Sequence, residues 1–349
     1  MPSRGDPIAP VSPRAGRESH LDPPVGRPAD RGGGGAIAMT MDGCRCSRRR
    51  FLQAVAGGFA ASTLFPGALR AAGGKGVDVS VASGATPAER ARKAVALLGG
   101  MKAFVSRGDV VVLKPNIGWD RSPEQAANTD PEFVVAVAEM CMAAGAKAVR
   151  VFDRSCNDPR RCYVSSGIKD AVERFARKNH IEDAVRIYHV EDRKFVRTAI
   201  PNALAIKEWD LYRDALEADR IINVPIAKHH SLAGITLGIK NMMGVMGGNR
   251  GQIHFRLSEC LVDIHRRLPV ALTVIDAGRV LLRNGPSGGN LADVQPFGKA
   301  FASRDVVAAD IVAAERIFRK SPRDVPHLSK AMESGLGATS VAQIRTLEK

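Results

Sequence analysis

The stretch Val110-Val111-Val112-Leu113-Lys114-Pro115-Asn116 decides the reading of this chain. Four apolar residues, three of them β-branched, run without alternation into a lysine, a proline and an asparagine. A continuous apolar run of this kind is a strand buried on both faces, as in a parallel sheet covered by helices. The same grammar recurs three times. Ala148-Val149-Arg150-Val151-Phe152 runs into Asp153, Arg220-Ile221-Ile222 into Asn223, and Ala271-Leu272-Thr273-Val274-Ile275 into Asp276. Helical patterns lie between these runs. Pro131–Ala144 has Thr129 or Asp130 as N-cap and Gly145 as stop, and Ser166–Lys178, Phe255–Leu268 and Asp305–Arg319 read likewise. Strands alternating with helices predict an α/β fold with a mainly parallel sheet flanked by helices in Rossmann-like layers. It would form a single large domain or two closely packed halves.

In open sheets of this class ligands sit beyond the carboxyl ends of the strands. Asn116, Asp153, Asn223 and Asp276 stand at those expected ends. Each alone is an ordinary loop cap, but four together favour a site.

The densest chemistry lies between Asn223 and His254, which read Asn223-Val-Pro-Ile-Ala-Lys228-His229-His230-Ser231 and, further on, Thr236-Leu-Gly-Ile-Lys240-Asn241-Met-Met-Gly244. The expectation is a strand end, a helix opening near Lys228, His229 and His230, and then a glycine-rich loop. Free N–H groups at a helix start favour an anion. Gly244, Gly247, Gly248 and Gly251 let a backbone approach a ligand, and Arg250 and His254 add donors. A carboxylate or phosphate pocket follows, with Lys240 and His230 as candidate acid–base groups. Lys114, Asn116, Asp153, Lys228, Asn241, Gly244, His254 and Asp276 are candidate binding residues. His230 and His254 with Asp153 or Asp276 could instead ligate a metal, although no tight ligand spacing supports it. Met242, Met243 and Met246 read as packing. The glycine spacing fits neither a P-loop nor a dinucleotide fingerprint. Glu259 and Asp263, one helical turn apart, call for a cation, and Arg267 supplies one by spacing. Asn284–Gly289 is a turn-rich loop that borders the pocket or simply connects elements.

The chain has 349 residues, 45% of them hydrophobic and 25% charged, which excludes collagen, long coiled coil and wholesale disorder. Two Trp and three Tyr are too few for a base-stacking platform, and no dense Lys/Arg block in the body of the chain marks a nucleic-acid site. Residues 1–38 carry seven Pro and seven Gly without apolar periodicity, so residues 1–46 read as a disordered extension. Ser47-Arg48-Arg49-Arg50-Phe51-Leu52-Gln53 then opens an apolar, Gly/Ala-rich run that ends in Ala71-Ala72-Gly73. Residues 47–72 therefore resemble a twin-arginine export signal, with Arg48 and Arg49 as the pair. That implies passage through the twin-arginine translocase and a periplasmic or extracellular destination. Gly57, Gly58 and Pro66 weaken the run as a lasting membrane span. Beyond residue 72 there remain 41 basic and 31 acidic residues, a net charge of +10 that suits an anionic partner. Cys156 and Cys162 flank a short polar loop and could form a disulfide in an oxidising compartment or remain two thiols.

Several motifs in order carry a family resemblance. They are Lys114-Pro115-Asn116, Asp130-Pro131-Glu132, Ala144-Gly145-Ala146, Asp153, Asn223 to Lys228 with His230, Thr236 through Lys240-Asn241 to Gly244, His254, Asp276, Asn284 to Gly288, and Ser303 to Asp310. Over residues 77–318 the chain resembles the domain of unknown function 362 family, leaving residues 319–349 as an expected helical tail. The resemblance implies an α/β domain and no established activity. Many members carry a ferredoxin-like cluster module. The cysteine spacing of such a module is not found in this sequence, which counts against direct electron transfer and leaves the cofactor open. A non-catalytic metal- or cofactor-binding protein assisting a redox system is the alternative to an anion-binding protein or enzyme.

Overall fold

A computed structural model describes residues 77–349. The expected signal and the residues before it lie outside the described residues. In order, the elements are β1 (Val77–Ser83), α1 (Pro87–Leu97), β2 (Val110–Pro115), α2 (Pro131–Ala143), β3 (Ala148–Val151), α3 (Pro159–Ser165), α4 (Ile168–Lys178), β4 (Val185–Ile187), β5 (Phe195–Ala199) and β6 (Glu208–Tyr212). There follow α5 (Arg213–Leu216), β7 (Arg220–Val224), β8 (Ile226–His230), β9 (Gly234–Thr236), α6 (Gly238–Asn241), α7 (Leu257–Arg267), β10 (Val270–Leu281), β11 (Val294–Ser303), α8 (Val306–Phe318), α9 (Pro326–Glu333) and β12 (Ile344–Glu348).

The main sheet has ten strands, its long path running β12-β1-β11-β10-β7-β2-β3-β4. Strands β10, β7, β2, β3 and β4 pair in parallel, whereas β11 is antiparallel to both neighbours. The mainly parallel α/β sheet expected from the apolar runs is therefore present. The described residues all fall within one compact unit.

Strand alternation sets the two layers. Val111 and Leu113 enter the core shared with α1, α2 and α4, while Val112 enters the core shared with α7, α8 and α9. Each of these fully buried side chains contributes roughly 1.5–3 kcal/mol. The same alternation carries Lys114 to the Val112 face. Lys114 is in register with Asn223 of β7, and α6 lies over this end of the sheet, with Asn223 Nδ2 donating to Gly238 O at 2.9 Å. Helix α2 begins as its sequence demands: Asp130 accepts the Glu132 N–H and Pro131 fills the first turn. It stops at Gly145, whose φ of 100° is readily reached by glycine.

Four expectations are corrected. No helix opens at Lys228, because Lys228–His230 form the end of β8, in a hairpin with β9. Asp276 is not at a strand end: β10 continues through it to Leu281, with a register shift between Ala277 and Arg279. Asp263 makes no pair with Arg267. It is fully buried and accepts the Leu204, Ala205 and Ile206 N–H groups at 2.7, 2.8 and 3.0 Å. The residues expected as a helical tail contain α9 but end in β12, parallel to β1. Cys156 and Cys162 are free thiols, one exposed and one buried.

Candidate functional site: a buried lysine cluster

Three lysines converge where β2, β3 and β7 end beneath the β8–β9 hairpin and α6. Lys114, from β2, is fully buried. Its Nζ lies 2.8 Å from Asp153 Oδ1 and donates to Pro115 O at 2.7 Å. Burial lowers its pKa and the Asp153 charge opposes that shift. The other Asp153 oxygen accepts the Ile117 N–H at 2.7 Å. Gly244 closes over this pair: a Cβ there would sit 1.8 Å from Asp153 Oδ1 and 2.6 Å from Lys114 Nζ. Glycine is thus dictated here by close approach.

Lys228 comes from β8 and is 1% exposed. Among the described residues it has no carboxylate partner. Its Nζ donates to Asn116 Oδ1 at 3.1 Å and to Ala127 O. Burial pushes it down to about 7. Lys240, on α6, is 8% exposed, and its Nζ reaches only the Met243 sulfur, at 2.8 Å. A thioether is a weak acceptor, so this ammonium is almost without compensation. Burial pushes it down to about 8, and the Arg250 charge adds to the effect. The methionine read from sequence as packing is therefore also the lysine's contact.

Amides tie the cluster together. Asn116 Nδ2 donates to Asn241 Oδ1 at 3.0 Å, and Asn241 Nδ2 donates to Lys114 O at 3.0 Å and Asn223 Oδ1 at 2.8 Å. Cross-strand pairing places Thr236 opposite Lys228. The buried Thr236 hydroxyl has no hydrogen-bond partner. An orphan hydroxyl opposite a buried ammonium that has no carboxylate partner is a costly arrangement for a protein interior.

His230, two residues beyond Lys228 on the same face of β8, accepts the Leu232 and Ala233 N–H groups on Nδ1, each at 3.2 Å. Burial first, and then the charges of Lys240 and Lys228, push it down to about 3. It is neutral at ordinary pH, with the proton assigned to Nε2, which makes Nε2 a hydrogen-bond donor. His254 faces it with ring centroids 6.4 Å apart, and its Nδ1 meets Gly251 O at 2.8 Å. Arg250 donates to Arg154 O and Ser155 O, both at 2.7 Å, and to Cys156 Sγ at 3.4 Å.

The structure thus brings together Lys114, Asn116, Asp153, Lys228, His230, Lys240, Asn241, Gly244 and His254. It does not bring Asp276 to them. Asp276 is buried and accepts the Asp130 and Gly278 N–H groups, each at 3.0 Å, which anchors the start of α2. Burial raises it to about 6. The Asn284–Gly289 loop packs beside β8, where Gly285 N donates to His229 Nδ1 at 3.1 Å. Sequence reasoning missed His327, a buried histidine near Lys240 whose Nε2 is unpartnered. A single histidine after a proline carried no signal. Among the described residues no group of three or more His, Cys, Asp or Glu could hold a metal ion, and no helix is long and apolar enough to cross a membrane.

Fold and site define a class: a mainly parallel α/β protein with a cationic, amide-braced cluster at the carboxyl ends of its strands. More particularly, residues 111–315 match the family described as a domain of unknown function (DUF362), and the chain belongs to that family. It is 29% identical over 251 residues to a thylakoid-associated protein of Synechocystis sp., covering 70% of this chain and 73% of that one. Among solved structures it is similar to the lactate racemase apoprotein of Thermoanaerobacterium thermosaccharolyticum, at 12% identity and a TM-score of 0.40 over 70% of this chain and 57% of that one. A Thermotoga maritima protein matches at 13% identity and a TM-score of 0.32, over 58% and 52% of the two chains.

Proposed function

We propose that the chain is an exported protein that binds a small carboxylate or phosphate among Lys228, Lys240, Asn116, Asn241 and His230, above the Lys114–Asp153 pair. One observation carries this reading. Lys240 is buried, and its ammonium meets only the Met243 sulfur. A bound anion would supply the missing counter-charge, take a hydrogen bond from the His230 Nε2–H, and give the Thr236 hydroxyl an acceptor. If the ligand is transformed, Lys240 is suited to move a proton near neutrality, since burial brings it to about 8. His230 would act as a neutral donor rather than as a cation. The export half of the proposal rests on Arg48, Arg49 and the apolar run after them.

Isothermal titration of the purified full chain with inorganic phosphate and with acetate tests the binding half. Saturable binding that weakens in Lys240→Met and Lys228→Met supports the proposal. Absence of saturable binding of both anions at pH 6, where both lysines are charged, refutes it.

A further inference from the structure

A cleft of about 310 Å³ is lined in part by His254, which faces His230 of the lysine cluster. Its walls come from three places: the β8–β9 turn (Leu232), the run before and into α7 (His254, Phe255, Leu257, with the Glu259 carboxylate 3.5 Å from Arg256), and the start of α9 (Pro326, His327). The volume is at the small end of the range for ligand pockets, about 300–1,000 Å³.

Its two ends differ in chemistry. Phe255 and Leu232 are 93% and 73% exposed, more than any other large hydrophobic side chain among the described residues. One exposed apolar residue is ordinary. Two that line one concave surface, with Leu257 and Pro326 beside them, form an apolar lining that water solvates poorly. The other end is polar. His327 is 1% exposed and lines the cleft, yet its Nε2 has no hydrogen-bond partner. His254 lines the same cleft and faces His230. The His254–His230 contact, ring centroids 6.4 Å apart, joins the cleft's polar end to the lysine cluster, and the Lys240 charge acts on both His230 and His327.

We infer that the ligand is an amphipathic monoanion, a carboxylate with a short apolar chain. Its head lies toward Lys240, His230 and His327, and its chain lies between Leu232 and Phe255. This rests on the anion-binding reading above and adds the ligand's class to it. His327 Nε2 gains a partner from the head, and the apolar chain covers the two exposed side chains. Inorganic phosphate would satisfy the first requirement and leave the second unmet.

The test is a series of acetate, butyrate, hexanoate and octanoate, titrated calorimetrically into the full chain at pH 6 and constant ionic strength. Burying methylenes strengthens binding by up to about fourfold each, so the Kd should fall by at least tenfold from acetate to hexanoate. Phe255→Ser and Leu232→Ser, both at exposed positions and tolerable to the fold, should each shrink the hexanoate-to-acetate ratio several-fold. His327→Phe removes the nitrogen and keeps an aromatic ring, and it should weaken every member of the series. Equal affinities along the series overturn the amphipathic ligand while acetate binding upholds the anion site. A chain-length slope that survives in both serine variants overturns the assignment to this cleft. Failure of acetate and phosphate alike removes the anion reading itself.

Discussion

Lys114 and Lys240 are buried lysines of one site, held in opposite ways. The floor at the ends of β2 and β3 is charge-paired: Lys114 has Asp153 Oδ1 at 2.8 Å as an ion pair without hydrogen-bond geometry, the other carboxylate oxygen has a backbone N–H, and Gly244 leaves no room for a side chain. The wall formed by the β8–β9 hairpin and α6 is incomplete, with Lys240 on a sulfur and Thr236 Oγ1 on nothing. A closed ion pair supports the fold and is unavailable to a ligand. An open one costs stability, a cost that an anion bound as proposed would relieve. The contrast separates scaffold from the proposed binding surface.

The sharpest break is at the floor. Asp153→Asn keeps the shape but leaves the Lys114 ammonium buried without its counter-charge. Removing one partner of a buried pair costs about 3–5 kcal/mol. Urea unfolding should show a loss of that size with an unchanged m-value. A loss below 1 kcal/mol would mean that the floor is no more closed than the wall.

Legibility in the sequence divides along the same line. The ends of β2, β3 and β7 could be read because these strands are mostly apolar, so Lys114, Asp153 and Asn223 fall within two positions of the strand ends at Pro115, Val151 and Val224. Helix α2 could be read from its apolar spacing and a cap at Thr129 or Asp130, of which Asp130 is the one used, and α8 from its Ala/Val/Ile-rich run. The wall misled for a physical reason. Lys228 and His230 are buried strand residues, yet lysine and histidine carry no hydrophobic period, so the hairpin resembled a polar helix start. Asp276 and Asp263 misled in the same way. Both serve buried backbone N–H groups, a role that only the tertiary fold creates. Local chemistry named many of the residues that the fold brings together, but which lysine would be paired was invisible, since Asp153 lies 39 positions from Lys114 in the chain.

A second substitution should do the reverse of the first. Lys240→Met keeps the length and removes the charge. A lysine near 10.5 in the unfolded chain and at about 8 in the folded one binds fewer protons when folded. It therefore destabilises the ligand-free protein below pH 8, and the cost disappears as pH rises from 8 to 10.5. At pH 6 the variant should gain on the order of 3 kcal/mol or less, and the gain should vanish by pH 10.5. Anion affinity should run the other way in the parent protein, weakening as pH rises through about 7 to 8 while Lys228 and Lys240 lose their charge. Thermal unfolding at pH 6 and 10, with and without phosphate, measures both. A variant less stable than its parent at pH 6 would show that Lys240 is compensated after all.

The smallest effect concerns Cys156, which lies within reach of both regions. Its sulfur is exposed and sits 3.4 Å from Arg250 Nη2, whereas Cys141, Cys162 and Cys260 are buried. The Lys114, Lys228 and Lys240 charges all act on this neighbourhood. A cationic surface concentrates anions but not neutral molecules. Iodoacetate and iodoacetamide alkylate the same sulfur through the same bond change, iodide leaving and the thiol proton passing to water, but only the first carries a charge. Their rate ratio therefore reports the local field and is insensitive to the thiol's own ionisation. At Cys156, followed by peptide mass spectrometry, the iodoacetate-to-iodoacetamide ratio should fall roughly threefold in Lys240→Met and change less in Lys114→Met, because Asp153 already offsets Lys114. Equal falls in the two variants would mean that an anion approaching the site feels the paired lysine as strongly as the unpaired one, and the division between floor and wall would no longer describe how the site meets its ligand.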